Sequence, residues 1–325
     1  MKAMVLAAGL GERLRPATDR CPKPLFPVLG VPAIEWVLCA LRCAGVRDVV
    51  VNLHHLPAQV VRRLGNGARL GLRISYSDEP ILLGTGGGLW AVREFFRAED
   101  AFFVHNGDVW HDWDLNPLIE FHRRQSPAAT LALVSDPDQP EAHLVELDAP
   151  RVIGIRGRPR SGDGPRYVFS GVSVETPAVF ESLPEGEVSC LVERGLIPML
   201  ASGAEIAGFL QAGSFCDIGT PRRYLDLQWS LLDSDPARLF ASRGLTVPVA
   251  RDAGVWSLGN PTVQAQATIR PPVWLCDRAR IESGATIGPR VVVCERAVIR
   301  SGATVHDAVV FEGTVVDGPA EGLVL

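Results

Sequence analysis

From Leu6 to Pro27 the chain reads Leu-Ala-Ala-Gly-Leu-Gly-Glu-Arg-Leu-Arg-Pro-Ala-Thr-Asp-Arg-Cys-Pro-Lys-Pro-Leu-Phe-Pro. Glycines permit the positive φ angles with which successive backbone N–H groups converge on an anion. Arg13 and Arg15 add guanidinium groups to this turn, and Lys23, eight residues after Arg15, adds an ammonium framed by Pro22 and Pro24. Together these residue types handle phosphate. A dinucleotide fingerprint is excluded, because Leu14 stands where its third small residue belongs. A Walker A loop is excluded too, since no Gly-Lys-Ser/Thr occurs. A second group of residues, Asn106-Gly107-Asp108, follows the apolar run Phe102-Phe103-Val104 and His105. A carboxylate at the end of a buried strand is where a hard cation is held, although an Asx turn accounts for the same triplet.

The elements that position these residues alternate. Short apolar runs at Ala3–Ala7, Val49–Asn52, Leu72–Ser77 and Ala101–Asn106 predict buried strands. Helical spacing appears between them, at Ile34, Val37, Leu38 and Leu41, at Val60, Val61 and Leu64, and at Leu89, Val92, Phe95 and Phe96. The pattern predicts an α/β fold with a Rossmann-like, mostly parallel sheet, whose ligands gather at the carboxyl ends of the strands. From Thr130 to Ser173 the texture becomes β-rich, which predicts an added sheet. Thr220-Pro221 and Asp235-Pro236 each read as the start of a helix.

A repeat closes the chain. From Val263 to Phe311 a large apolar residue recurs nine times at six-residue spacing, and four residues after each stands Ala or Val. This period predicts a hexapeptide β-helix of three coils. The resulting division is a catalytic region over 1–232, a linker over 233–262, a short left-handed parallel β-helix over 263–317 and a tail over 318–325.

The length of 325 residues suits a large domain with a smaller one, and the net charge of −5 argues against nucleic acid or an acidic membrane as partner. No apolar run reaches the length of a membrane span, and the N-terminal run lacks a cleavage site, which points to the cytoplasm. Seven scattered cysteines contain no Cys-x-x-Cys pair and read as small apolar thiols in a reducing compartment, Cys39 and Cys43 included. No Ser-His-Asp or Cys-His set stands out.

The loop, with Gly-x-Gly-x-Arg and then Pro-Lys-Pro, resembles the N-terminal motif of the sugar-1-phosphate nucleotidyltransferases, and the likeness extends over residues 1–232. Asn106-Gly107-Asp108-Val109-Trp110 and Asp217-Ile218-Gly219-Thr220-Pro221 are similar to that family's metal-binding segments. The resemblance implies Mg²⁺ on Asp108 and Asp217. It implies nucleotide contacts from Ala8, Gly9, Gly11, Glu12, Arg13 and Lys23, and from Gly84, Thr85 and Gly86 in a loop against the base. Asn106 and Gly171 are then substrate-binding, Gly171 through a Phe-Ser-Gly segment that faces the sugar, and Glu141 and Glu146 are either contacts to the sugar hydroxyls or solvated strand residues.

The implied reaction is transfer of a nucleotidyl group from a nucleoside triphosphate to a sugar 1-phosphate, with Arg13, Lys23 and Asp108 as the catalytic set. Gly-Glu-Arg, Asn-Gly-Asp-Val-Trp and Phe-Ser-Gly-Val-Ser-Val bring the catalytic region closest to N-acetylmuramate-1-phosphate uridylyltransferases. A β-helix tail is commoner among mannose-1-phosphate guanylyltransferases, so GTP with mannose 1-phosphate is the alternative, and glucose 1-phosphate with UTP or dTTP stays open. Two further alternatives are a bifunctional enzyme whose prism transfers acyl groups, against which stand only three coils and His306 as the sole histidine of the repeat, and a non-catalytic subunit that binds nucleotide sugars. The prism also leads to the expectation of a homo-oligomer.

Overall fold

A computed structural model of the chain describes residues 1–135, 144–159 and 164–325. Its residues group into two compact units, one of Met1–Leu10 with Ala40–Phe215 and the other of Gly11–Cys39 with Cys216–Leu325.

The first unit is built on a nine-stranded sheet. Its strands are β1 (Ala3–Leu6), β2 (Asp48–Leu53), β3 (Arg73–Asp78), β4 (Phe102–Asn106), β5 (Ala129–Val134), β6 (Leu144–Asp148), β7 (Arg151–Ile155), β8 (Arg166–Glu175) and β9 (Ile206–Leu210). They lie in the order β3-β2-β1-β4-β8-β5-β9-β7-β6. The run β3-β2-β1-β4 is parallel, as expected of strands joined through helical crossovers. Beyond β4 the sheet becomes mixed, because β8 enters antiparallel to both β4 and β5. The β-rich stretch after Thr130 therefore extends this same sheet and does not form the added one that its texture suggested.

Helix α1 (Ala33–Cys43), α2 (Pro57–Leu64), α3 (Gly84–Ala91) and α4 (Asn116–Gln125) occupy the intervals between strands. The apolar spacing through Phe96 predicted one helix after the glycine run. It is interrupted at Val92, and a separate turn covers Arg93–Phe96. The core of this unit is aliphatic and aromatic, with Phe96 stacked on Phe102 at 4.1 Å between ring centres.

Glu175, at the end of β8, is an anomaly in that core. It is fully buried, and neither carboxylate oxygen has a hydrogen-bond partner among the described residues. Burial pushes its carboxyl from 4.5 up to about 7. Between those two values the folded chain holds a proton that the unfolded chain releases, so stability falls as pH rises through that window. The Glu175→Gln variant, which cannot ionise, is expected to gain stability relative to wild type on the order of 3 kcal/mol more at pH 8 than at pH 4.5. Urea unfolding at several pH values measures this, and equal pH slopes for the two proteins would refute it.

The second unit contains the β-helix. On one face Val255–Ser257 pairs in parallel with Val273–Leu275, and that strand pairs with Val291–Val293, each step spanning 18 residues. Thr262–Val263, Arg280–Ile281 and Val298–Ile299 stack in the same way, as do Thr268–Ile269, Thr286–Ile287 and Thr304–Val305. Parallel pairing thus begins before residue 263, and Ala320–Val324 adds a strand at the far end.

The six-residue period, uninterrupted in the sequence, slips once in the structure. Val293 faces Val310 and Val298 faces Val315, which are steps of 17 residues, with Asp307 turning the shortened corner at φ +47°. Ala308 and Val310 therefore fill the interior, and Phe311 is released from the inward place that its spacing assigned. Helices α5 (Pro221–Leu232) and α6 (Pro236–Ser242) belong to this unit and begin where expected. Thr220 Oγ1 accepts from Arg223 N at 3.3 Å, and Asp235 Oδ1 accepts from Arg238 N at 3.1 Å.

All seven cysteines are free thiols. Among the described residues no helix is long and apolar enough to cross a membrane.

Candidate active site

In the first unit the functional candidates gather at the carboxyl ends of β1, β2, β3 and β4. Ala7 and Ala8, just beyond β1, are buried. The Ala7 N–H donates to Asn52 Oδ1 at 2.8 Å, and Asn52 Nδ2 donates to Glu79 Oε1 at 2.8 Å. Glu79 Oε2 in turn accepts from Leu83 N at 2.9 Å, immediately before α3. One buried amide and one buried carboxylate thus tie the start of the phosphate loop to the start of the glycine-rich helix. Motif reading passed over Asn52 and Glu79. The signal was a polar residue closing an apolar strand, the same signal that singled out Asn106.

Asp108 stands on the turn after β4. The Gly107 N–H donates to Leu6 O at 2.8 Å, and a Cβ at Gly107 would lie 3.0 Å from that oxygen, so glycine lets the turn press against the end of β1. The flanks of the turn are held by two buried histidines. His105 and His111 share a hydrogen bond at 3.0 Å between their Nε2 atoms, and the His111 ring stacks on Trp113 at 4.6 Å. Gly171, at φ +80° where β8 shifts register, leaves room for the Asn106 amide, which any Cβ there would strike. Asn106 and Gly171 are thereby brought together.

The glycine run of α3 has a packing explanation for most of its members. A Cβ at Gly84 would lie 2.5 Å from Ser189 O, one at Gly87 2.5 Å from Glu187 O, and one at Gly88 2.5 Å from Glu79 Oε1. The segment 187–190 lies directly on the helix, with Gly86 N donating to Ser189 O at 2.8 Å and Leu191 N donating to Thr85 Oγ1 at 2.9 Å. Gly9 is different: among the described residues no atom lies within 4 Å of where its Cβ would stand.

The second unit holds the cationic candidates. Gly11 takes φ +65°, and a Cβ there would lie 2.8 Å from Thr18 Cγ2 and 3.3 Å from Lys23 Cβ. Glu12 and Arg13 are exposed on the short 3₁₀ turn that follows. Lys23 is only 8 % exposed, and its ammonium lies 3.4 Å from Asp217 Oδ1 across 194 residues of sequence. A Cβ at Gly219 would stand 2.7 Å from Arg13 Nη2, which places that guanidinium over the Asp217-Ile218-Gly219 turn. Lys23, Arg13 and Asp217 therefore converge.

Glu146 does not present a free carboxylate: it is buried and paired with Arg166 at 3.2 Å. Glu141 lies outside the described residues. His306 pairs with Asp307 at 3.1 Å on the exposed corner of the prism. For a metal, Asp108 in the first unit and Asp217 in the second each offer carboxylate oxygens, the donor chemistry that suits a hard cation. Among the described residues no group of three or more His, Cys, Asp or Glu is assembled around a common point.

Comparison with known proteins adds to this geometry. The sequence model of the family described as nucleotidyl transferase matches residues 2–234. The chain is 36% identical over 233 residues to an N-acetylmuramate alpha-1-phosphate uridylyltransferase of Neisseria meningitidis, covering 70% of this chain and 97% of that protein. It is also 36% identical over 228 residues to a mannose-1-phosphate guanylyltransferase of Mycobacterium tuberculosis, covering 69% of this chain and 62% of that one. A crystal structure described as a putative glucose-1-phosphate thymidylyltransferase from Bacillus anthracis superposes with a TM-score of 0.62 at 24% identity, over 74% of this chain and 99% of that chain, and speaks to the fold.

Proposed function

The chain belongs to the nucleotidyl transferase family, and on that footing we propose that it makes a nucleoside-diphosphate sugar from a nucleoside triphosphate and a sugar 1-phosphate. An oxygen of the sugar phosphate attacks the α-phosphorus, the bond from that phosphorus to the β-phosphate oxygen breaks, and pyrophosphate leaves. The attacking phosphate is already anionic, so positioning and charge neutralisation do the work and no general base is needed.

The observation that carries this reading is the buried Lys23 ammonium held against Asp217 on the glycine–arginine loop. In it Gly11 and Arg13 bind the triphosphate, with Ala8, Gly9 and Glu12 beside them, and Arg13 steadies the departing pyrophosphate. Lys23 lies between two phosphates that must meet despite like charge. Gly84, Thr85 and Gly86 face the base, and Asn106 and Gly171 face the sugar. Mg²⁺ held by Asp108 and Asp217 would supply further neutralisation of the phosphate charge.

The substrates we assign are UTP with N-acetylmuramate 1-phosphate, on the motifs of the catalytic region 1–232. The prism over 263–317, reached through the linker 233–262 and followed by the tail 318–325, favours the second reading, GTP with mannose 1-phosphate. The test is pyrophosphate release with Mg²⁺ over a grid of UTP, GTP, dTTP, CTP and ATP against mannose, glucose, N-acetylglucosamine and N-acetylmuramate 1-phosphates. One dominant cell is expected. Silence across the grid with nucleotide-sugar binding intact would replace this reading by that of a regulatory subunit. The same preparation also tests the association expected of the prism, which a monomer over a wide concentration range would remove. We place the protein in the cytoplasm, where its seven free thiols stay reduced.

A further inference from the structure

The one-residue slip of the β-helix has a consequence outside the prism. On the face formed by Val273–Leu275, Val291–Val293 and Ala308–Val310, side chains alternate inward and outward. Leu275, Val293 and Val310 enter the core of the prism, yet the outward residues Trp274, Val292 and Val309 are also completely buried. Trp274 stacks on Phe240 of α6 at 5.4 Å between ring centres, and the segment that carries Lys23 meets residues at the border of this face. Phe26, three residues after the lysine, packs edge-on against Phe311 at 5.2 Å and against Tyr224 of α5 at 5.5 Å. Gly30 adopts φ +78° where any Cβ would strike Cys276 Sγ of the prism.

The backbone between these contacts is fixed from α5. Tyr224 Oη and Gln228 Nε2 both donate to Pro27 O at 2.6 Å, and Leu29 N donates to Gln228 Oε1 at 3.0 Å. The helix α5 begins four residues after Asp217, so both members of the Lys23–Asp217 pair rest on the same support. Phe311 can reach Phe26 only because the period slips by one and frees it from the interior.

We propose that the β-helix positions the catalytic lysine, with Phe311 acting through Phe26 to hold Lys23 against Asp217. The inference rests on the reading of Lys23 given above. A displacement on the order of 1 Å in such a contact costs up to about 10²-fold in rate, while binding energy drawn from the remaining loop is untouched.

The experiment uses the full chain. Phe311→Ala is expected to lower kcat about tenfold with the KM values of both substrates nearly unchanged, and Phe311→Leu to recover most of the loss. In a Lys23→Met background Phe311→Ala is expected to cost nothing more, because its route to the reaction is gone. A folded Phe311→Ala protein with wild-type kcat would overturn the proposal, as would an equal loss in both backgrounds. Should Phe311→Ala not fold, Phe311→Leu in the two backgrounds gives the same comparison on a smaller scale.

A second readout is independent of turnover. The chain has two lysines, Lys2 and Lys23, so isotopic labelling of lysine gives two side-chain signals, which Lys23→Met assigns. The Lys23 signal is expected to move in Phe311→Ala and to return toward its place in Phe311→Leu. If it stays fixed, the proposal fails even in an active enzyme. If it moves while wild-type protein releases no pyrophosphate from any substrate pair, the mechanical coupling stands and the functional reading falls.

Discussion

Replacing Lys23 with methionine is expected to lower kcat about 10²- to 10³-fold, the cost of removing one preorganised charge from a developing phosphoryl transition state. The remaining 30 basic residues apart from Lys2 and Lys23 are arginines, so lysine at this place stands out. An ammonium is compact and can sit between two phosphates, whereas a guanidinium fork is larger and planar. The position is tightly framed, by Pro22 and Pro24 in sequence and by Asp217 Oδ1 at 3.4 Å in space. Lys23→Arg is accordingly expected to lose much of the activity despite keeping the charge. The fold should survive both changes, because the Asp217 side chain is 32% exposed and water can solvate it once its partner is gone. Steady-state kinetics, with thermal unfolding as control, measures this. Turnover within about threefold of wild type in folded Lys23→Met would remove the lysine from the mechanism.

The second large effect is expected at Gly84. Alanine there must adopt φ +73° and place its Cβ 2.5 Å from Ser189 O. The first demand costs about 1 kcal/mol or more, and the second forces apart backbone that is hydrogen-bonded, through Ser189 N to Leu83 O at 2.9 Å and Gly86 N to Ser189 O at 2.8 Å. A loss of about 2–4 kcal/mol in stability is expected, together with a raised KM for the nucleotide. Gly87→Ala separates the two causes, since it meets Glu187 O at 2.5 Å without a positive φ and gains helix propensity. Gly9→Ala is the counterpart. With no described atom within 4 Å of its Cβ, it should leave stability unchanged and, if the triphosphate approaches this backbone, weaken nucleotide binding alone. A Gly84→Ala protein as stable as wild type would show that the 187–190 segment yields freely.

What could be read from the sequence was local. Thr220-Pro221 and Asp235-Pro236 begin helices because a side-chain oxygen two or three residues upstream satisfies a helix N–H and proline presets φ, and both facts lie within four residues of chain. The strands around Val50 and Val104 could be recognised by apolar runs ending in Asn52 and Asn106, and the β-helix by its period. The candidate phosphate loop could be picked out for the same reason, since Gly11, Arg13 and Lys23 lie within 13 residues of one another.

Tertiary structure decided what depends on partners distant in sequence. Nothing local marks β8 as the strand that inserts antiparallel between β4 and β5, or Glu79 as the acceptor for Asn52. Lys23 meets Asp217 across 194 residues, a contact on which periodicity is silent. The end of the β-helix is the clearest case. Both Val309 with Phe311 and Ala308 with Val310 supply a small and a large apolar residue, so composition allows either register. The corner at Asp307 and the packing of Phe311 on Phe26 select the second. Sequence determined the elements because propensity and spacing act over a few residues. Register, partners and the attachment of the prism to the lysine loop were decided by packing, which matches surfaces without regard to their separation along the chain.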